Sequence, residues 1–252
     1  MTSIKAARFI NKPEITAIAD RLLVEMRDAN WTPKWPQLAD LVADYLDLSI
    51  VWEDFDAVHD GVIAAKIYPI RREIYINNAF PAIRDNSGLY QSTLAHEIGH
   101  WLLHIDRASA LQGGRDASES AIAGVNSIQV GTIDRSLPEE VFLCRSLAGD
   151  KTRVVKQRTP EEWREWQAQY FASCLLMPLD KLEEVRQGRN LTNRQHLGAI
   201  GDELGVTISN LINRLQDLEY LEKGGNSKQL YPGKRLRLSD DCDRLEKIAN
   251  YK

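Results

Sequence analysis

The sequence predicts an α+β fold, and the order of its segments is the main reason. Two helical segments come first, three short strand-like runs follow, and helical periodicity then dominates the rest of the chain. Of the 252 residues, 43% are hydrophobic and 27% are charged, which suffices for a core with an ordinary surface. We predict a core over residues 1–188, with an insertion at about 106–158, and a C-terminal segment over residues 189–252.

The first third of the chain reads as two helices followed by a small sheet. Apolar residues at steps of three and four predict one helix from Lys12 to Asp28 and another from about Pro36 to Leu46. Arg71 and Arg72 are expected in a hairpin loop. Runs rich in β-branched and aromatic residues predict a three-stranded sheet made of Leu48 to Trp52, Val62 to Tyr68 and Glu73 to Ile76.

The stretch TLAHEIGHWLLH, from Thr93 to His104, carries a His-Glu-x-x-His motif. Residues four apart share one face of a helix, so His96 and His100 can aim two imidazoles at one metal ion. Glu97 lies about 100° further round the helix, where its carboxylate can take a proton from a water molecule. Three of the five histidines fall in this one helix, which argues against incidental surface residues.

Helical order returns after the insertion, at Thr159. Thr159 and Glu162 form a predicted capping box, with Pro160 suited to the first helical position. The helix is predicted to run to about Leu176. Glu165 is the candidate third metal ligand, because Glu162 belongs to the cap and the remaining acid lies in the exposed first turn.

Two other residues near the motif compete for a role at the metal. Asp106 falls where an extended class of His-Glu motif places its third ligand, but that class needs glycine at the position of Leu103. His104 shares a face with His100, yet lies about 6 Å further along the helix axis. We therefore favour Glu165 as ligand, and predict that His104 contacts a metal-bound histidine or the substrate.

The C-terminal segment has helix-turn-helix spacing. Thr192 and Gln195 suggest a capping box, Gly205 ends that helix, and Thr207 begins the next. A wing is expected around residues 224–226 and 229–231, and a last helix within residues 240–252. The predicted helices are Asp180 to Gln187, Thr192 to Leu204 and Ile208 to about Tyr220.

Together these motifs resemble the ImmA/IrrE-type metallopeptidases over roughly Pro13 to Leu221. The resemblance rests on His96-Glu97-x-x-His100 followed by His104, and on Glu165-x-x-Ala168-x-x-Phe171-Ala172-x-x-Leu175-Leu176-Met177-Pro178. It implies a small thermolysin-like (gluzincin-like) core with a zinc-dependent endopeptidase activity. The typical substrate of that family is a helix-turn-helix transcriptional repressor, which cleavage inactivates, and its third ligand is a glutamate on a downstream helix.

The chain departs from the family pattern in two places. Gln169 stands where the family commonly has Asn or Asp; it is expected to accept a hydrogen bond from a zinc-bound imidazole, but without a charge. The separation of His100 from Glu165 is also longer than usual, so the Asp106–Glu140 stretch is expected either to line the substrate cleft or to cover it.

Two further functions compete with repressor cleavage. One is a DNA-binding regulator with a structural metal, because Asn210, Asn213, Arg214 and Gln216 have side chains that can read bases. The net charge of −4 offers little phosphate contact, so nucleic acid is not the favoured partner. The other is a toxin-like protease or a non-catalytic partner of a repressor. Zinc is the expected cofactor, with manganese or iron as alternatives for the same ligands.

The composition favours a cytoplasmic protein. The first residues lack the apolar core of a signal peptide, and no run approaches the ~18–20 apolar residues of a membrane span. Three cysteines without close spacing do not form a disulfide framework.

Overall fold

The computed structural model describes residues 8–55, 63–107, 110, 142–145, 159–223 and 229–236, with the backbone alone for residues 142–145. Helices and strands are mixed in this part of the chain. Most of the predicted insertion, the tip of the predicted wing and the predicted last helix lie outside the described residues.

The two predicted N-terminal helices are present. Helix α1 spans Lys12–Asp28 and begins where Asn11 accepts a hydrogen bond from the backbone N–H of Glu14 at 2.9 Å. Helix α2 is shorter than predicted, at Leu38–Tyr45. The apolar stripe of α1 is buried through Ile15, Ala19, Leu22, Leu23 and Met26.

The three predicted strands join a fourth in one mixed sheet of the described chain, in the order β1-β3-β2-β4. Strand β1 runs parallel to β3, while β2 is antiparallel to both β3 and β4. The chain reverses between β2 and β3 at Arg72, whose φ of 57° is left-handed, so the predicted hairpin loop is confirmed. The strands are β1 Ser49–Glu53, β2 Ile63–Tyr68, β3 Glu73–Asn77 and β4 Phe142–Arg145.

Helix α4, Ser87–Leu103, carries the His-Glu motif and lies at the centre of the molecule. Thirteen of its 17 residues are buried, because it packs against α2, the sheet and the later helix Pro160–Leu176. Asn86 caps it by accepting a hydrogen bond from the backbone N–H of Leu89 at 2.9 Å. A short helix α3 at Pro81–Asp85, which the periodicity did not predict, leads into it.

Helix α5, Pro160–Leu176, supplies the candidate third ligand. The predicted capping box is confirmed: Thr159 Oγ1 accepts from the backbone N–H of Glu162 at 3.2 Å, and the Glu162 carboxylate accepts from the N–H of Thr159 at 2.8 Å. The cap fixes where α5 begins and hence which turn carries Glu165.

Three further helices and a two-stranded ribbon complete the described chain. Asn193, one residue beyond the predicted cap, begins α7 by accepting from the N–H of Gln195 at 2.9 Å, so the predicted Thr192–Gln195 capping box is wrong. Thr207 caps α8 and Gly205 ends α7 at φ +65°, both as predicted. The elements are α6 Leu179–Val185, α7 Arg194–Leu204, α8 Ile208–Asp217, β5 Leu221–Lys223 and β6 Leu230–Pro232.

One hydrophobic cluster runs through both predicted parts of the chain. It joins Phe171 and Leu175 of α5 to Leu197, Leu211 and Leu215 of the C-terminal helices. The helix-turn-helix-like segment therefore packs on the core that holds the His-Glu motif. Among the described helices, none has the length and apolar character that a bilayer-spanning helix requires.

Candidate metal centre

The candidate site lies where α4 and α5 pack side by side. Gly99 of α4 faces Ala168 of α5, and His100 meets Glu165 one turn away. Ligands separated widely in sequence can therefore meet between two adjacent helices.

His96, His100 and Glu165 converge on one point. The two imidazole Nε2 atoms are 3.0 Å apart. Each Nε2 also lies 3.2 Å from a different carboxylate oxygen of Glu165. The two imidazoles are buried, whereas the Glu165 side chain is 42% exposed, so the cluster opens towards solvent on the side of α5.

The geometry and the chemistry of these three side chains fit a divalent ion. Two ligands at about 2.1 Å from a tetrahedral ion lie about 3.4 Å apart, close to the 3.0 and 3.2 Å found between the donor atoms. Two imidazoles and one carboxylate are also a ligand set of catalytic zinc sites, which leave one position for water. Among the described residues, these three form the group able to hold a metal. Asp106 is not part of that group.

Glu97 is fully buried next to His96 on α4. Its carboxylate is therefore shielded from bulk solvent. Burial strengthens the electrostatic interactions of such a group, because the local dielectric is low.

The site extends away from the cluster through His104 and Gln167. The sequence analysis did not identify Gln167. His104 Nδ1 lies 3.0 Å from His100 Nδ1, and His104 Nε2 lies 2.9 Å from Gln167 Oε1. Gln167 Nε2 then donates to the backbone carbonyl of Arg8 at 3.1 Å. All three side chains are buried, so His104 contacts a candidate ligand, as one of its two predicted roles requires.

Burial and hydrogen bonding shift the pKa values of the site residues in opposite directions. Burial lowers the pKa of His100, and it lowers the pKa of His104 to about 3. Burial alone would raise the pKa of Glu165, but the adjacent imidazoles of His100 and His96 outweigh it and bring that pKa well below its usual range. These directions favour a neutral His100 beside an ionised Glu165, the protonation states in which the two residues bind a metal.

The predicted hydrogen bond from a zinc-bound imidazole to Gln169 is not found at His96. The Nδ1 atom of His96 is buried and has no hydrogen-bond partner within the described chain. Gln169 instead lines a cavity of about 180 Å³ together with Ser92, Tyr170 and Asn210. None of the three candidate ligands is among the residues that line this cavity.

Helix α8 forms one wall of that cavity and buries much of its predicted base-reading face. Asn210 Nδ2 donates to Ser92 Oγ at 2.7 Å. Arg214 is 2% exposed, and its Nε donates to the backbone carbonyl of Met177 at 3.3 Å. Asn213 remains exposed. The polar residues of α8 thus hold it against α4 and α5.

Sequence patterns gave no direct signal for Gln167 or Asn210. A buried histidine such as His104 requires a polar partner, which could have prompted a search for one. The partner is 63 positions away on another helix. Its position depends on how α4 and α5 are aligned, and periodicity does not determine that alignment.

Comparison with known proteins adds little to this description. No protein-family model matches the sequence, and no curated protein matches it. One solved structure with a similar chain is a Mycobacterium tuberculosis transcriptional regulator, with a TM-score of 0.43 and 15% sequence identity. The match covers 82% of this chain and 48% of that one, so this chain spans about half the length of the regulator. A similarity this weak carries no argument about function.

Proposed function

We propose that the protein is a zinc-dependent endopeptidase whose ligands are His96, His100 and Glu165. One observation carries the proposal: two buried imidazoles and an ionised carboxylate converge beside a fully buried Glu97 on the same helix. A purely structural zinc site is normally closed by four protein ligands. Three ligands with one side open to solvent favour a catalytic site.

The chain's own residues account for the proton transfers of peptide hydrolysis. Bound zinc would supply Lewis acidity, which lowers the pKa of a water molecule and polarises a carbonyl. Glu97 accepts the proton of the attacking water and then gives it to the leaving nitrogen. His96 and His100 serve as ligands, and burial lowers the pKa of His100, which favours the neutral imidazole that a ligand needs.

We propose a helix-turn-helix transcriptional repressor as the substrate, following the resemblance of the motifs to the ImmA/IrrE-type peptidases. The DNA-binding alternative loses support, because Arg214 and Asn210 bond to the protein itself.

The test is incubation of the purified, zinc-loaded protein with a repressor of this class encoded beside its gene. Mass spectrometry should detect two fragments that add up to the intact repressor. A chelator should stop cleavage, and added zinc should restore it. An intact repressor after prolonged incubation with zinc-loaded protein would count against this substrate.

Variants separate catalysis from metal binding. Glu97→Gln should keep the zinc and lose about 10²–10⁴-fold in cleavage rate, because the general base is gone. His96→Ala should lose both zinc and cleavage, and Glu161→Gln, at an exposed position on α5, should lose neither. A fully active Glu97→Gln would overturn the proposed mechanism.

A further inference from the structure

A chain of hydrogen bonds joins one candidate metal ligand to the backbone before α1. It runs from His100 through His104 and Gln167 to the carbonyl of Arg8. We propose that His104 and Gln167 are positioning residues, and that this chain holds His100 in the tautomer that metal binding requires. The inference rests on the proposed metal-binding function of the same site.

The direction of the chain is fixed at its far end. The carbonyl of Arg8 can only accept a hydrogen bond, so the nitrogen at 3.1 Å from it must be the amide donor of Gln167. The carbonyl oxygen of that amide therefore faces His104. Turning the Gln167 amide round would bring its oxygen against the carbonyl oxygen of Arg8. It would also bring its nitrogen against Nε2 of His104.

The orientation of the Gln167 amide determines which ring nitrogen of His104 carries the proton. Gln167 Oε1 accepts, so His104 Nε2 donates across the 2.9 Å contact. A neutral imidazole has one donor and one acceptor, which leaves a lone pair on His104 Nδ1. A doubly protonated His104 would donate to His100 Nδ1 and leave the proton of His100 on Nε2, so the ligand role of His100 requires the neutral form of His104.

His104 in turn determines the tautomer of His100. The lone pair on His104 Nδ1 accepts from His100 Nδ1–H across 3.0 Å. The lone pair of His100 must then lie on Nε2, the atom that faces Glu165 and His96. The opposite tautomer would direct an N–H at the ion and would have to be converted before the metal could bind.

Among the described residues, His96 has no comparable chain of hydrogen bonds. We therefore expect His104 and Gln167 to influence one ligand, His100. His96 Nδ1 has no hydrogen-bond partner among the described residues. Changes at His104 or Gln167 should therefore act on the site through His100 alone.

The first measurement is zinc affinity, by competition with a chromophoric chelator. His104→Leu and Gln167→Leu should each bind zinc roughly 10–100-fold more weakly than the parent. His104→Gln should bind close to the parent value, because its amide oxygen can accept from His100 and its NH₂ can donate to Gln167. Circular dichroism must show that all variants are folded. A folded His104→Leu with parental affinity would overturn the inference, and so would a His104→Gln as weak as His104→Leu.

The second measurement does not depend on zinc. Long-range ¹H–¹⁵N spectra of the metal-free, histidine-labelled protein should show His100 with its proton on Nδ1, and His104→Leu should lose that preference. If the parent shows this tautomer but does not bind zinc, the proposed function fails and the positioning role stands. If zinc binds but His100 carries its proton on Nε2 in the metal-free protein, the positioning role fails alone.

Discussion

Gly99 on α4 lies directly against the backbone of Ala168 on α5. A methyl carbon built on Gly99 would be 3.0 Å from both Cα and the carbonyl oxygen of Ala168, and 3.1 Å from the ring of Phe171. Real side chains rarely pack this tightly. The absence of a side chain at Gly99 therefore allows the two helices to approach closely enough for Glu165 to reach both histidines.

Replacing Gly99 should weaken zinc binding and stability together. In Gly99→Ala, overpacking costs about 1–3 kcal/mol, and the better helix propensity of alanine returns at most about 1 kcal/mol. The same change at Gly198 on α7 is the control, because the nearest atom to its methyl would be Ile208 Cδ1 at 3.9 Å. Urea unfolding and chelator competition should show losses for Gly99→Ala only. Equal behaviour of the two variants would contradict the close approach.

Zinc should stabilise the folded protein, and Glu165 should be needed for that effect. At a free zinc concentration 100-fold above Kd, binding adds about 2.7 kcal/mol to the free energy of unfolding. Thermal unfolding with and without zinc should show this gain in the parent and in Glu161→Ala, whose side chain is 73% exposed. This zinc-dependent gain in the free energy of unfolding should be largely absent in Glu165→Ala. A full zinc effect in Glu165→Ala would assign the third ligand to another residue.

Because one face of α8 is buried, we expect substitutions at two neighbouring residues to affect stability very differently. Arg214→Leu leaves the Met177 carbonyl without its donor, and should lower the free energy of unfolding by about 1–3 kcal/mol. Asn213→Ala, at an exposed position, should change it by less than about 0.5 kcal/mol. Chemical denaturation measures both. If α8 were instead a DNA-reading helix, the parent would give a salt-dependent gel shift that Asn213→Ala weakens.

The contact between Tyr220 and Glu183 should make stability depend on pH at both extremes. Burial would raise the pKa of Glu183, but hydrogen bonds from Tyr220 and Arg186 lower it below the usual 4.5. That contribution to stability is present above about pH 4.5 and is lost as the pH falls through the native pKa. Burial and the hydrogen bond to Glu183 raise the pKa of Tyr220 above 10.0, so this contribution is lost as the pH rises through the native pKa.

Tyr220→Phe removes the hydroxyl and should reduce both pH dependences. Urea unfolding of the parent and the variant across the acid and alkaline ranges measures the difference. If the free energies of unfolding of the two proteins changed with pH in parallel, the Tyr220–Glu183 contact would not stabilise the packing of the segment after α8 on α6.

The sequence predicted those parts of the molecule that depend on local patterns. Thr159, Thr207 and Gly205 mark helix ends through their own side chains or backbone angles, and each does so in the structure. His96 and His100 share a face because of helix geometry alone. The pairing of β4 with β2 was not predicted, because pairing depends on contacts between distant segments.

The polar residues of α8 show why the rest of the site was harder to predict. Asn210 and Arg214 are four apart, a spacing that equally suits a base-reading face and a polar face packed on the protein. The choice depends on partners such as Ser92 and Met177, which lie on other elements. Gln169 illustrates the same limit, since its position suggested a ligand contact and it lines the cavity instead.

The order in which the ligands appear along the chain bears on how the protein is made. Glu165 follows His100 by 65 positions, so a ribosome adding roughly 5–20 residues per second needs several seconds to supply it. During that interval the nascent chain carries two histidines and no carboxylate to join them. The candidate metal site can therefore be completed only after α5 has emerged and packed on α4.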